Sequence, residues 1–348
     1  MVPPQLWMRS EVRETERRAP IVPADARRLV ESGVGVTVEQ SGQRVFPIAD
    51  YVDAGCQVAA AGSWTDAPAE TYIVGLKELP ATPKALVHRH IFFGHAYKGQ
   101  DGAEDLLRRF TAGGGELLDI EYLVDADGRR LAAFGYWAGY IGAALAILCA
   151  RGRLSFPLQP QTKEALDAQL AQFSDGDQPT ALVIGALGRS GRGAVDGLAA
   201  AGISATGWDV AETKNLDRKA LLAHDLLVNT VLTREPVPPF LTPAELDDPE
   251  RRLSVVSDVT VDVTSPLNVL PIYSQTTTWD RPVERLRDGT RPLDLIAIDN
   301  LPSLLPREAS LAFSAELTPQ LQRLGSEGSP WATSAEAFTD AVASLGKA

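Results

Sequence analysis

The sequence predicts an α/β protein of two doubly wound, mostly parallel sheets with helices on their faces, arranged as two domains. Three observations carry that expectation. The chain has 348 residues, 45% of them hydrophobic, enough for two separate cores. Short apolar runs alternate with helix-compatible segments in βαβα order, the mark of a parallel sheet. A polar, proline-containing stretch after residue 153, "LSFPLQPQTKEALDAQLAQFSDGDQPT", separates two such series.

In the first series "PADARRLVESG" (23–33) reads as a helix stopped by Gly33, and "VGVTVEQ" (34–40) as a strand. The next strand, "TYIVGLK" (71–77), runs from buried-looking Tyr72, Ile73 and Val74 through a glycine into Lys77 and Glu78. Two adjacent charges there would fit a surface turn, or a strand end that delivers them to a site. "GAEDLLRRFTAGGG" (102–115) is helix-compatible, and "ELLDIEYL" (116–123) adds a strand.

"LAAFGYWAGYIGAALAILCA" (131–150) has twenty uncharged residues, the length that crosses a bilayer. Arg129, Arg130, Arg151 and Arg153 flank it on both sides, giving no orientation bias, and no second span accompanies it. The better expectation is a helix buried on all sides, with Gly135, Gly139 and Gly142 letting other backbones approach closely. The second series opens with "ALVIGALGRSGRGAVDGLAAAGISATGWDV" (181–210) and continues with strands at 225–231, 253–259 and 293–299. A last amphipathic helix is expected from about Ser310 to Leu324. Residues 1–133 plus 306–348 then form one domain and residues 134–305 the other.

A net charge of −12 disfavours nucleic acid and anionic lipid as partners, because counterion release needs a basic face; a small molecule is the expected ligand. Two cysteines, Cys56 and Cys149, are too few for a disulfide framework. The first eighteen residues have no apolar core of a signal or anchor. Together these suggest a cytoplasmic protein.

The loop "GALGRSG" is where a cofactor is expected. Gly185 permits the turn off the strand, Gly188 lets the backbone approach a pyrophosphate, and Gly191 allows tight helix–strand packing. The following helix N-terminus offers free N–H groups and a positive dipole end. Asp209, at the end of the next strand and about twenty residues after the loop, can accept hydrogen bonds from ribose hydroxyls. Its carboxylate would repel a 2′-phosphate, so NAD is favoured over NADP. The same glycines also suit a strand-to-helix turn that holds nothing, and Arg189 and Arg192 suit either phosphate or water.

His88, His90, His95 and Lys98 fall within eleven residues, "HRHIFFGHAYK". No metal is expected, since neither H-x-H nor the spacing to His95 is a ligand pattern and no Cys accompanies them. His88 and His90 read as a solvated loop, whereas His95 and Lys98 sit where a strand would deliver side chains to a cleft.

The blocks "MRSEVRETERRAPIVP", "GLKE", "FGHAYK", "DGRRLAAFGYWAG", "GALGRSG", "WDV", "RRLSVVSDVT" and "DNLPSLLPREAS", in this order over nearly the whole chain, resemble the NAD-dependent, L-lysine-forming saccharopine dehydrogenase family, related to alanine dehydrogenase and transhydrogenase. The resemblance implies two Rossmann-like domains separated by an active-site cleft. It also implies oxidation of saccharopine by NAD and hydrolysis of the imine to lysine and 2-oxoglutarate, or the reverse condensation. Lys77 matches the base for the secondary amine and His95 the acid/base for imine hydrolysis. Arg18 and Arg130 are expected to grip substrate carboxylates, as guanidinium geometry allows. Lys98 is expected in the same pocket, where Glu78 and Glu121 temper its positive potential. Asp299 matches a residue beside nicotinamide and substrate, although it equally suits a helix N-cap before "LPSLLP". The implied cofactor set is Gly185, Gly188, Arg189, Ser190, Gly191, Asp209, Thr230, Asp258 and Asp299.

Fungal members often carry cysteine where this chain has Ser190 and Thr230, and histidine where it has Asn300. Hydride transfer needs no thiol, so the first two changes argue against redox control, while Asn300 leaves the exact amine open. A dehydrogenase for another amine and 2-oxo acid, or a silent NAD-binding protein, stays as an alternative. A monomer is favoured, with no membrane and no nucleic-acid partner.

Overall fold

Around β1 (Gln5–Met8) the first sheet is laid down in both directions. This computed structural model describes residues 3–172, 178–233, 235–263 and 265–345. The chain divides into two units, Met1–Ala133 with Ala309–Ala348, and Phe134–Glu308.

In the first unit β1 is followed by α1 (Pro23–Glu31), β2 (Gly35–Glu39), α2 (Ile48–Asp53), β3 (Gln57–Ala59), β4 (Tyr72–Val74), β5 (Arg89–Phe92), α3 (Ala103–Gly113) and β6 (Glu116–Asp119). The six strands pair in the order β3-β2-β1-β4-β5-β6, all parallel. The order reverses between β1 and β4. In open parallel sheets that reversal opens a crevice beyond the carboxyl ends of the strands. The chain segments leaving β1, β4, β5 and β6 carry Arg9, Lys77, His95 and Glu121 to that edge.

The second unit begins with α4 (Gly135–Ala150), followed by α5 (Lys163–Ala171), β7 (Ala181–Ile184), α6 (Arg189–Ala200), β8 (Ala205–Trp208), α7 (Val210–Thr213), α8 (Arg218–Leu222) and β9 (Leu226–Asn229). Strands β10 (Val255–Asp258), β11 (Glu284–Arg287) and β12 (Leu293–Ile296) close the unit. Its sheet order is β11-β12-β10-β9-β7-β8, parallel except for the edge strand β11. Helix α9 (Pro306–Leu321) belongs to the first unit from Ala309 onward and buries Ala309, Phe313, Leu317 and Leu321, and α10 (Trp331–Ser344) follows it.

Two doubly wound α/β sheets were expected and are found. The uncharged stretch is helix α4, with ten consecutive buried residues from Gly139 to Leu148. At 1.5 Å per residue its sixteen residues reach about 24 Å, short of a hydrocarbon core. Among the described residues no helix is long and apolar enough to cross a membrane. The expected close approach is real: a Cβ on Gly139 would lie 1.8 Å from the Ser190 carbonyl oxygen, and one on Gly193 1.9 Å from that of Tyr136. Helices α4 and α6 therefore touch backbone to backbone.

Several expectations need correction. The strand at 71–77 ends at Val74, and that at 116–123 ends at Asp119, where a 3-10 turn (Ile120–Tyr122) takes over. The helix expected from Ser310 starts at Pro306 and is not the last, because α10 follows and packs Phe338 on Phe110. The polar excursion holds α5, and its residues 173–177 lie outside the described residues. His88 and His90 are not solvated: His90 lies on β5, both are buried, and they pack with Trp64, Phe92 and Phe110.

Candidate active site

Charge gathers where β4, β5 and β6 of the first unit run out. Glu121, just past β6 and mostly buried, is the hub of one cluster. Its carboxylate pairs with Arg130, accepts from the Lys98 ammonium at 3.0 Å, and lies 3.9 Å from His95 Nδ1. Arg130 reaches it because the chain doubles back over a bridge between Val124 and Arg130. Burial raises the Glu121 carboxyl, but Arg130, Lys98 and His95 together hold it below its ordinary range. His95 is exposed and takes a left-handed backbone, φ 48°, uncommon outside glycine.

Asp119 ties this cluster to the sheet. Fully buried, it accepts the Glu121 N–H at 2.8 Å and the Gly94 N–H at 3.2 Å, so one carboxyl spans the segments that carry Glu121 and His95. Burial, reinforced by the charge of Glu121, pushes it up to about 7 against those two N–H groups.

A second cluster surrounds Lys77. Glu78 is exposed and takes a two-pronged bond from Arg13, at 2.9 and 3.0 Å. Arg18 is buried in a bidentate pair with Glu16, at 2.8 and 2.6 Å. Burial raises the Glu16 carboxyl, but Arg18 outweighs it, and the Lys77 ammonium is near enough to contribute to the net lowering. A cavity of about 460 Å³ has Arg13 and Glu78 among its lining residues, with Phe93, Gly94 and His95. Segments from both clusters thus face one space.

Arg9, Glu11, Arg13, Glu16 and Asp119 share this edge although no motif marks them. The one signal for the first four is the density of charge in "MRSEVRETERR", directly after a strand end. Tyr97 donates to the Leu117 carbonyl at 3.2 Å and packs against Tyr122 with the rings tilted at 55°, which is a packing role.

In the second unit the glycine loop has the geometry its spacing suggests. Gly185 is left-handed at φ 85°, Gly188 is the N-cap of α6, and a Cβ on Gly191 would lie 2.0 Å from the Gly185 oxygen. Arg189 and Ser190 form the first turn of α6. Leu187 and Gly188 are exposed, so the loop backbone and the helix N-terminus face solvent, as a pyrophosphate cradle must. Asp209 caps α7 in a capping box with Glu212, and its free oxygen accepts the Leu187 N–H at 3.0 Å. That places an acid against the loop, so these residues fit a dinucleotide.

Thr230 donates to the Ile184 carbonyl at 2.7 Å, closing the turn from below. Asp258 is buried and accepts from Asn229, Thr260 and Tyr273 at 2.8–3.0 Å, a knot at the carboxyl ends of β9 and β10. Asp299 is exposed just beyond β12, next to Asn300, the N-cap residue of the following 3-10 turn. Among the described residues no group of three His, Cys, Asp or Glu could hold a metal ion.

The family described as alanine dehydrogenase/PNT, N-terminal domain, matches residues 7–141. Over 98% of its length the chain is 41% identical to "Saccharopine dehydrogenase [NAD(+), L-lysine-forming]" of Emericella nidulans, covering 98% of that protein. The protein of the same name in Neurospora crassa is 42% identical over 99% of this chain and 98% of its own. Among solved structures an L-alanine dehydrogenase superposes with a TM-score of 0.67 at 18% identity, covering 96% of this chain and 93% of its own. A transhydrogenase from Sinorhizobium meliloti gives 0.60 at 16%, covering 92% and 94%. The structural likenesses concern the fold alone.

Proposed function

The chain belongs to the saccharopine dehydrogenase (NAD+, L-lysine-forming) family, and from that premise we propose that it oxidises saccharopine with NAD to L-lysine and 2-oxoglutarate, or runs the reverse condensation. NAD, when bound, takes up the hydride that leaves the glutarate carbon. The second unit supplies the cradle: Gly185, Gly188, Arg189, Ser190 and Gly191 at the pyrophosphate, and Asp209 at the adenosine ribose, with Thr230, Asp258 and Asp299 at the strand ends nearby.

The first unit supplies the acid–base chemistry. Lys77 takes the proton of the secondary amine, leaving its lone pair free to form C=N as hydride departs. His95 then takes a proton from the water that adds to the imine carbon. It returns that proton to the nitrogen and then takes the proton of the carbinolamine hydroxyl as C=O forms and the C–N bond breaks. Arg130 and Lys98 meet the substrate's carboxylates, and Arg18 joins them only by exchanging its buried partner Glu16. Glu121, Glu78 and Glu16 temper the positive potential of that cluster when no substrate is present. The observation that carries this reading is the shared cavity, which has His95 and the neighbour of Lys77 among its lining residues.

A panel of amines with 2-oxoglutarate and either NADH or NADPH tests it. Lysine should give the highest kcat/KM, and NADPH should be the poorer donor because Asp209 opposes a 2′-phosphate. Lys77→Met should lower kcat by about two to four orders of magnitude, the usual worth of a general base, with NADH binding retained. Unchanged turnover in that variant would remove Lys77 from the mechanism. A preference for another amine would move the substrate assignment and leave the fold untouched.

A further inference from the structure

We infer that Arg9 and Glu11 are positioning residues for Lys77: a buried ion pair from the end of β1 that clamps the Lys77 peptide on both sides. The inference rests on the role proposed for Lys77. Strand β4 ends at Val74, so the amides of Leu76 and Lys77 have left the sheet ladder and need partners. Glu11 supplies both: Oε1 accepts the Leu76 N–H at 2.7 Å and Oε2 the Lys77 N–H at 3.1 Å. Arg9, whose Nη1 lies 3.2 Å from Glu11 Oε2, donates through its other terminal nitrogen to the Lys77 carbonyl. The N–H and the C=O of one residue are therefore held by one ion pair.

Burial sharpens the point. The Arg9 and Glu11 side chains are 1% and 5% exposed, and the guanidinium sits 5.7 Å from the Phe92 ring centre. Taking two such charges out of water is costly, and an apolar pair of similar volume often serves stability as well. Buried charge here fixes one short backbone segment, and the residue at its end is Lys77. Gly75 fits the same device: a Cβ on it would lie 2.4 Å from Arg9 Nε and 2.6 Å from Cζ, so only glycine leaves the guanidinium its seat. That gives a reason for a glycine directly after the strand and before the two charges.

The test is a double-mutant cycle on the full chain, with kcat, the KM for NADH and NADH binding measured for Glu11→Gln, Lys77→Met and the pair. Glu11→Gln leaves an amide NH2 facing one of the two backbone N–H groups. It should lower kcat about ten- to hundredfold, the penalty of a misplaced catalytic group, with the KM for NADH unchanged. On the Lys77→Met background it should cost less than twofold. Gly75→Ala keeps every charge and crowds the guanidinium first; it should reproduce the kcat loss, and it decides the matter if Glu11→Gln no longer binds NADH. Wild-type kcat in Gly75→Ala or in a folded Glu11→Gln overturns the inference, as does a full additive loss in the double variant. Wild-type turnover in Lys77→Met alone instead marks failure of the underlying assignment.

Discussion

His90 is a titratable ring in a place built for a phenyl ring. It lies on β5, fully buried, and neither ring nitrogen has a hydrogen-bond partner; Trp64, Phe92 and Phe110 surround it. Burial first, then the charges of Arg9, His88 and Arg109, push it well below the ordinary histidine range, so it folds neutral. The sign follows from proton counting. Below about pH 6.5 the unfolded chain binds a proton that the folded chain does not, so stability is lost as the pH is lowered, by at most about 1.4 kcal/mol per unit. His90→Leu should therefore melt higher than the wild type, with a gap that widens from pH 7.5 to pH 5.5; a constant gap in thermal scans would contradict this. The sequence misleads at this residue for a physical reason. Polar His88 and Arg89 beside it suggest a solvated loop, but a parallel sheet is covered on both sides and its inner strands are buried on both faces. Lys77 and His95 were legible as strand-end residues, whereas Arg9 and Glu11 were not, because their meaning depends on β1 lying beside β4.

Helix α4 was legible as an element because it combines an uncharged run with glycines at helical spacing, and those glycines have a definite job. Gly139 meets the Ser190 carbonyl in the first turn of α6, the turn that carries the expected phosphate contacts. A methyl group there must push α4 and that turn apart. Gly139→Ala should cost about 1–3 kcal/mol, as overpacking does, and should weaken NADH binding measured by fluorescence titration. A loss of stability with full NADH affinity would show that the turn has stayed in place. Elements with a weak apolar pattern were the ones that escaped notice. Strand β1, "QLWM", has only four residues and none β-branched, and α10 spreads its large apolar residues thinly, at Trp331 and Phe338, among alanines, serines and threonines. Both depend on tertiary packing: β1 on β2 and β4, and α10 on β6, where Ser334 donates to the Asp119 carbonyl at 2.9 Å.

The two units differ in how the chain builds them. The second is one continuous run, Phe134–Glu308, whereas the first needs the distant segment Ala309–Ala348 to complete it. Within the second unit α4, α5 and α6 share a core with β7, β9 and β10, including Ile141, Leu145, Leu166, Val183, Leu198, Val228 and Val255. Glu308 also belongs to it, accepting the Lys163 N–H at 2.9 Å at the start of α5, so a cut before that residue removes a contact the unit uses. A fragment of residues 134–308 should therefore fold cooperatively and bind NADH, while showing no turnover, because Lys77 and His95 lie in the other unit. The complementary fragment 1–133 should not fold alone. It lacks α9, whose Ser310 and Ser314 accept the Ala19 and Val22 N–H groups at 2.9 and 3.0 Å, and it lacks α10 over β6. Circular dichroism melts and NADH titration of each fragment check both statements. Residues 134–308 failing to bind NADH would mean that the cofactor needs contacts from the first unit, and cooperative melting of 1–133 would mean that α9 and α10 are dispensable to its core.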